Sequence, residues 1–422
     1  YSKIDAGYYH SVGLKSDGTL WAWGANGVGQ LGDGTTSNRY SAVQVGVDSD
    51  WTSVAADENH TLGVKYDGTL WTWGRNVLGQ LGIGSSDENP HPTPVQVGVD
   101  NDWVSVEAGN HCSFGLKSDG TLWAWGFNTY GVLGDGTTTN RYTPVQVGGD
   151  NDWASITAFS HALGIKTDGT LWAWGTNGFG QLGNGSSDSV GHPVPVQVGN
   201  DSDWASVAAA RNYTIGIKTD GTLWTCGLNQ YGTLGNGSTD TNPHPTLAQV
   251  GSDSDWASAT GWNHVLALKT NGALWAWGRN AQDQLGEETP YVYWGTPIQV
   301  GSDSDWTSVA AGDSHSLGLK TDSALWTWGH GSLGSLGHGT TSNRNTPGII
   351  AESLMDTYYY QDTDGDGYGD SAVSQLACSQ PAGYVTDNTD CNDSDAAVNP
   401  GVAEVPNNGI DDDCDPSTPD AD

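Results

Sequence analysis

Gly120-Thr121-Leu122-Trp123-Ala124-Trp125-Gly126-Phe127-Asn128 decides the fold, because the phrase returns along the chain every 49 to 52 residues. Its Trp-x-Trp-Gly element stands at Trp21/Trp23, Trp71/Trp73, Trp123/Trp125, Trp172/Trp174, Trp224/Cys226, Trp275/Trp277 and Trp326/Trp328, with cysteine replacing the second ring once. Just upstream, Asp-Gly (Asp17-Gly18, Asp67-Gly68, Asp119-Gly120, Asp168-Gly169, Asp220-Gly221) separates two strand-like runs, a strong hairpin signal because glycine accepts positive φ. Repeat six carries Asn271-Gly272 and repeat seven Asp322-Ser323, where looser pairing is expected. Further upstream, Asp-Trp pairs end at Trp51, Trp103, Trp153, Trp204, Trp256 and Trp306, with Tyr1 in the equivalent first place. Small residues such as Ser53-Val54-Ala55-Ala56 follow and suit a crowded innermost strand, and Pro94-Val95-Gln96-Val97 reads as a closing edge strand.

Four short strands per unit of about 50 residues, seven times over, is the pattern of a β-propeller. The expected fold is therefore all-β: a seven-bladed propeller over residues 1–355, with repeats starting near 1, 51, 103, 153, 204, 256 and 306, and a small loop-rich module over 356–422. One blade cannot bury its faces alone, so the tryptophans should pack between neighbours. If the run from Thr346 to Ile350 started a next blade, it would have to pair with the first blade and latch the ring.

Gly-Thr-Leu-Trp-Ala-Trp-Gly-x-Asn-x-x-Gly-x-Leu-Gly, as in Gly120 to Gly134, resembles the regulator of chromosome condensation repeat family over residues 1 to about 352. The resemblance implies a seven-bladed propeller whose relatives include a nuclear exchange factor for a small GTPase, ubiquitin ligase modules, a plant UV-B photoreceptor and a secreted β-lactamase inhibitor. Such a fold does not choose among functions. Gly261-Trp262-Asn263-His264 only partly matches the photoreceptor's element, with no arginine in it.

Composition narrows the classes. With 14 basic against 49 acidic residues, the formal net charge is −35, which argues against nucleic acid and anionic membranes as partners. No apolar run is long enough for a spanning helix. The absence of a starting methionine or leader at Tyr1 fits a chain whose signal has been removed.

The last 67 residues, 356–422, hold fifteen Asp, one Glu and no Lys or Arg, a charge of −16 against −19 for the rest. Spacing distinguishes this tail from a solvated acidic arm. Asp362, Asp364, Asp366 and Asp370 fall at positions 1, 3, 5 and 9 of an EF-hand-like loop, with Gly367 at 6 and the Tyr368 carbonyl at 7. The twelfth position is Val373, so a ligand must come from elsewhere in the tail. Asp387, Asp390, Asn392, Asp393, Asp395 and Glu404 form one later set, with Glu404 twelfth from Asp393; Asp411, Asp412, Asp413 and Asp415 form another. Calcium is the expected cofactor. From Tyr360 to Asp415 the tail resembles a metal-binding module of secreted and surface proteins of bacteria, grouped with a copper-binding surface protein of methanotrophs. That resemblance implies calcium and an extracellular setting, and the tail's lack of His and Met argues against copper. Of Cys378, Cys391 and Cys414, two are expected to pair, leaving one thiol over.

A histidine recurs at His10, His60, His161, His264 and His315, with Cys112 and Tyr213 in the other two blades, and reads as a structural residue bonding within its own blade. The residues just before it differ in every blade and should ring one face. Tyr8, Tyr9, Phe159, Arg211 and Trp262 there, with Tyr291, Tyr293 and Trp294 in a variable stretch of repeat six, are the expected partner-binding residues. No nucleophile and base stand at diagnostic spacing, so an enzyme is not expected. The expected function is an extracellular binding protein that recognises a protein or glycan at a cell surface. The alternatives are a self-assembling subunit of a surface layer or filament and a secreted enzyme inhibitor.

Overall fold

The computed structural model describes residues 1–350, 357–377, 381–405 and 408–415. The chain divides into two compact units, one of them comprising Tyr1–Tyr40 and Gln44–Ile350, the other containing the tail. Among the described residues no helix is long and apolar enough to cross a membrane.

Seven four-stranded antiparallel sheets, each made of four consecutive strands, form the blades. In the second blade these strands are Trp51–Asp57, His60–Lys65, Leu70–Asn76 and Asp87–Gln96. Why the phrase recurs is visible in its hydrogen bonds. The Asp67 carboxylate accepts the Thr69 backbone N–H at 3.0 Å and its hydroxyl at 2.7 Å, and Thr69 Oγ1 accepts the Trp71 indole N–H at 2.9 Å. These bonds hold the Asp67 pKa below its usual value. One glycine makes room for the Asp-Trp ring: a Cβ on Gly63 would lie 2.5 Å from Trp51, so only a bare Cα lets the indole lie across that strand.

The second tryptophan of each pair is the core. Trp23, Trp73, Trp125, Trp174, Trp277 and Trp328 are fully buried, as is Cys226 in their place. Each ring donates its N–H to a loop carbonyl of the preceding blade, as Trp73 does to Gln30 at 3.0 Å and Trp125 to Gln80 at 2.9 Å.

Three expectations need correction. The final strand, Arg344–Ile349, pairs with its own blade, Trp326 opposite Ile349, so no shared sheet latches the ring. Closure instead repeats the ordinary joint: Trp23 donates to the Ser335 carbonyl at 3.0 Å and His315 meets Ser11 at 2.9 Å. Second, the histidine bridges blades rather than bonding within its own. His10 reaches Thr61, His60 reaches Ser113, His161 reaches Thr214 and His264 reaches Ser316, while each hydroxyl donates to a carbonyl of the histidine's blade, Thr61 to Gln30 for example. With the hydroxyl hydrogen so engaged, histidine Nε2 must be the donor. Third, repeat seven pairs no more loosely than the rest. Ser323 closes the turn at 2.9 Å by taking φ +66, so the missing glycine costs backbone strain instead of register.

Candidate functional site

On the propeller, the frame just described holds unlike residues at one end of each blade. Arg211 and Tyr291 are exposed, Tyr293 is 45% exposed and Trp294 is half-buried. Tyr291 and Trp294 meet edge to face at 5.2 Å. Two clefts, of about 200 and 240 Å³, are both lined by Phe179 and Asn212; Arg211 and Tyr231 line the first and Tyr130 the second. Arg211 itself donates to Asn263 Oδ1 at 3.4 Å.

The expectation that Phe159 and Trp262 stand exposed on this face is overturned. They are 5% and 6% exposed, and their rings pack at 5.1 Å, with Tyr8 against Trp262 at 5.4 Å and Tyr9 against Tyr8 at 4.4 Å. Residues from blades one, four and six thus meet over the axis, where large rings bury more apolar area against one another than in water. Tyr8 and Tyr9 are half-buried. The free thiols offer no chemistry: Cys112 and Cys226 are buried, and burial pushes the Cys226 pKa to about 12 and that of Cys112 well up.

In the tail, the strands Thr357–Gln361 and Asp370–Ala377 form a hairpin around the first acidic loop, and Tyr384–Val385 adds to its free edge. Carboxylate oxygens of Asp362, Asp364 and Asp366 lie within 4.8 Å of one another, a separation that one cation with ligands at about 2.3–2.6 Å would span. The loop's own amides use part of their capacity: Gly365 and Gly367 donate to Asp362, Asp366 to Asp364, and Tyr368 to Asp366. Asp364 Oδ2 and Asp366 Oδ2 remain buried without a protein partner, and so does Asp390 Oδ2. Asp390 arrives through a parallel bridge to Asp370. Burial, then Asp366, Asp362 and Asp393, raise the Asp364 pKa; burial, then Asp366, Asp364 and Asp393, raise that of Asp390. Three carboxylates crowded so closely fit a cation of hard charge, and Asp390 and Asp393 add negative charge nearby.

A second set joins Glu404, Asp411 and Asp413, again within 4.8 Å. Glu404 Oε2 accepts the amides of Asp412 and Asp413, whereas its Oε1 and Asp411 Oδ1 are buried without a protein partner. The proposed loop from Asp393 to Glu404 is therefore not formed. Asp393 turns instead to the first loop and accepts the Thr363 amide at 2.8 Å and its hydroxyl at 2.6 Å. Several other candidates are occupied by local turns: Asp387 by Thr389, Asn392 by Ser394, Asp395 by Ala397, and Asp370 by Ala372. Asp412 braces the chain by accepting from Val405 and Asn408, and Asp415 donates its amide to Asp413.

Cys391 and Cys414 form a disulfide with Cα atoms 5.7 Å apart, and Cys378 lies outside the described residues. Both sulfurs approach Asp390, yet a disulfide has no thiolate to offer a metal, so this trio is not a ligand set. The donors gathered in the two carboxylate trios are all oxygens, the kind that hard cations take.

Comparison with known proteins agrees with this division. The regulator of chromosome condensation (RCC1) repeat matches at residues 17–64, 67–116, 119–160, 168–217, 220–268 and 271–319, and a second model of the same repeat matches 1–30, 51–80, 103–132 and 306–335. Each of the six longer matches runs from one blade's hairpin turn towards or into the next blade, out of phase with the sheets. A "Putative metal-binding motif" matches residues 390–419. The ultraviolet-B receptor UVR8 of Arabidopsis thaliana is 28% identical over 212 residues, 48% of this chain and 47% of the receptor. The human E3 ubiquitin-protein ligase HERC2 is 29% identical over 154 residues, 34% of this chain and 3% of the ligase. The matches thus span under half the length of these relatives. Among solved structures, Prp20p from Saccharomyces cerevisiae superposes with a TM-score of 0.71 at 22% identity, covering 81% of this chain and 87% of that one, which shows the shared fold. With matches over most of the propeller and seven blades built on their phrase, the chain belongs to the regulator of chromosome condensation repeat family.

Proposed function

We propose that this is an extracellular binding protein, not an enzyme, whose variable propeller face captures a protein or glycan partner and whose tail folds around calcium as a spacer or attachment module. The observation that carries the reading is the contrast between the fixed joints and the variable face. Thr, Ser, His and Trp repeat the same bonds at the joints, while Arg211 lines a cleft with Phe179 and Tyr231, and Tyr291 and Tyr293 stand exposed in repeat six. Arginine and tyrosine are the residues that dominate binding energy at protein interfaces. Support by analogy comes from a yeast propeller of this fold, RCC1 (Prp20), whose crystal structure has Kap60 bound to it. The calcium reading rests on the unpartnered oxygens of Asp364, Asp366 and Asp390, and the extracellular reading on the disulfide.

The test is capture from a cell-surface extract by the immobilised full-length chain, with and without a calcium chelator. Arg211→Ala and Tyr291→Ala should each weaken capture by about tenfold or more, as expected for interface anchors. Capture that ignores both substitutions would refute the face. Calcium-dependent self-association in place of capture would instead establish the surface-layer subunit.

A further inference from the structure

The innermost strands leave N–H groups along the axis without strand partners, and polar side chains of one blade reach over to the next. Asp5 accepts the Ala56 amide at 2.8 Å and the Ala6 amide at 2.9 Å; Glu107 accepts the Ala158 amide at 3.4 Å and the Thr157 hydroxyl at 3.2 Å. Asp57 departs from this pattern. It is 2% exposed, lines the same axial cavity of about 70 Å³, and its Oδ2 has no partner. A polar oxygen so buried and left unpaired is an exception among buried polar groups. It calls for a donor.

Phe159 and Trp262 also line the cavity, and no Lys or Arg does. The three carboxylates are spread around the lumen: among the described residues, the sets of three acidic or sulfur ligands within 4.8 Å of one another all lie in the tail. Oxygens so dispersed do not close on a bare metal ion. An ammonium group has three diverging donors and is attracted to indole faces, so it fits this combination. The same molecule builds that chemistry repeatedly from its own residues. Lys65 Nζ lies 2.7 Å from Asp48 and 3.2 Å from Asp50, and about 5 Å from the Trp51 and Trp71 ring centres. The axial cavity has the carboxylates and the rings of such a cage without the lysine.

We propose that the axial channel is a binding site for a primary ammonium group, received by Asp57 and Glu107 against the rings of Trp262 and Phe159. The shared ligand chemistry is an alkylammonium, from a free amine or from a partner's lysine side chain. Burial, followed by repulsion among neighbouring carboxylates, raises the pKa of Asp57 well up and that of Glu107 to about 8, and a bound cation relieves both penalties.

The experiment uses the full chain saturated with calcium and measures thermal stability against n-butylammonium chloride, with sodium chloride at equal ionic strength as the reference. Butylammonium should raise the melting temperature of the native chain, and Asp57→Asn should weaken its apparent affinity at least about tenfold, since one charge-assisted bond is lost. Glu107→Gln keeps the oxygen that accepts from Thr157 and Ala158 and serves as second variant if Asp57→Asn does not fold; it too should weaken binding. Nα-acetyl-lysine methylamide and spermidine separate the sources, and tighter binding by one of them names the protein-borne or the free amine. Equal responses of native and substituted chains would overturn the proposal, because the effect would then belong to charge screening or to the tail.

Discussion

Aspartate does opposite work in the two regions of this molecule. In the propeller, six Asp-x-Asp pairs, from Asp48/Asp50 to Asp303/Asp305, each clamp one lysine that also lies between two tryptophan rings. In the tail, sixteen acidic residues have no Lys or Arg among them, and two trios, Asp362/Asp364/Asp366 and Glu404/Asp411/Asp413, bring their oxygens within 4.8 Å of one another. The spacing is the same Asp-x-Asp in both; what differs is the neighbour that follows, Trp with a lysine a hairpin away or Gly with further aspartates. A carboxylate cluster is stable where a cation is built in, and it needs one from outside where none is.

The sharpest way to break this contrast is calcium removal. A chelator should make the segment between 357 and 415 protease-sensitive while leaving the blades intact, read by the masses of the limited-digest fragments. Truncating a joint comes next: Trp125→Ala should cost about 3–5 kcal/mol in urea unfolding of the propeller, because it empties a fully buried indole site. Reducing Cys391–Cys414 should remove about 3 kcal/mol from the tail alone, on the scale expected for a closed loop of this size.

Acid acts on the blades in two opposing senses. Burial holds His10, His60, His161, His264 and His315 at a pKa of about 3, against about 6.5 unfolded, so the unfolded chain binds more protons below pH 6.5. Their contribution is complete above pH 6.5 and is lost as pH falls towards 3. Asp5, raised to about 6, and Glu107, raised to about 8, act the other way, since their folded forms hold the proton more tightly. Asp57, also raised, joins them; with five imidazoles against three carboxylates, the blades should show a lower urea midpoint at about pH 4.5 than at pH 7. Lys65→Met should have the smallest effect, ~1 kcal/mol, since the carboxylates it faces are near half-exposed.

Much of the propeller was legible because its phrase is a set of local bonds: Asp67 to Thr69 to Trp71 can be read from adjacent residues. The histidine joints were misread although a signal existed. Where Cys112 replaces histidine, the next blade carries Ala162 in place of a hydroxyl, and where Tyr213 replaces it, the next blade carries Val265. Such paired departures, one repeat apart, point to a bond between blades. Trp262 and Phe159 were misplaced because three loops meet at the axis, a contact set by ring closure and not by any spacing along the chain. In the tail, position counting joins Glu404 to Asp393, whereas Glu404 lies with Asp411 and Asp413 and accepts the amides of Asp412 and Asp413, a contact that no count from Asp393 contains.

Hydrogen exchange on the full-length chain, with and without calcium, tests the central contrast most directly. The account predicts that amides of 362–368 and 404–413 are protected only when calcium is present, while those of the blade strands exchange at the same rate in both conditions. Equal protection of the tail with and without calcium would contradict it.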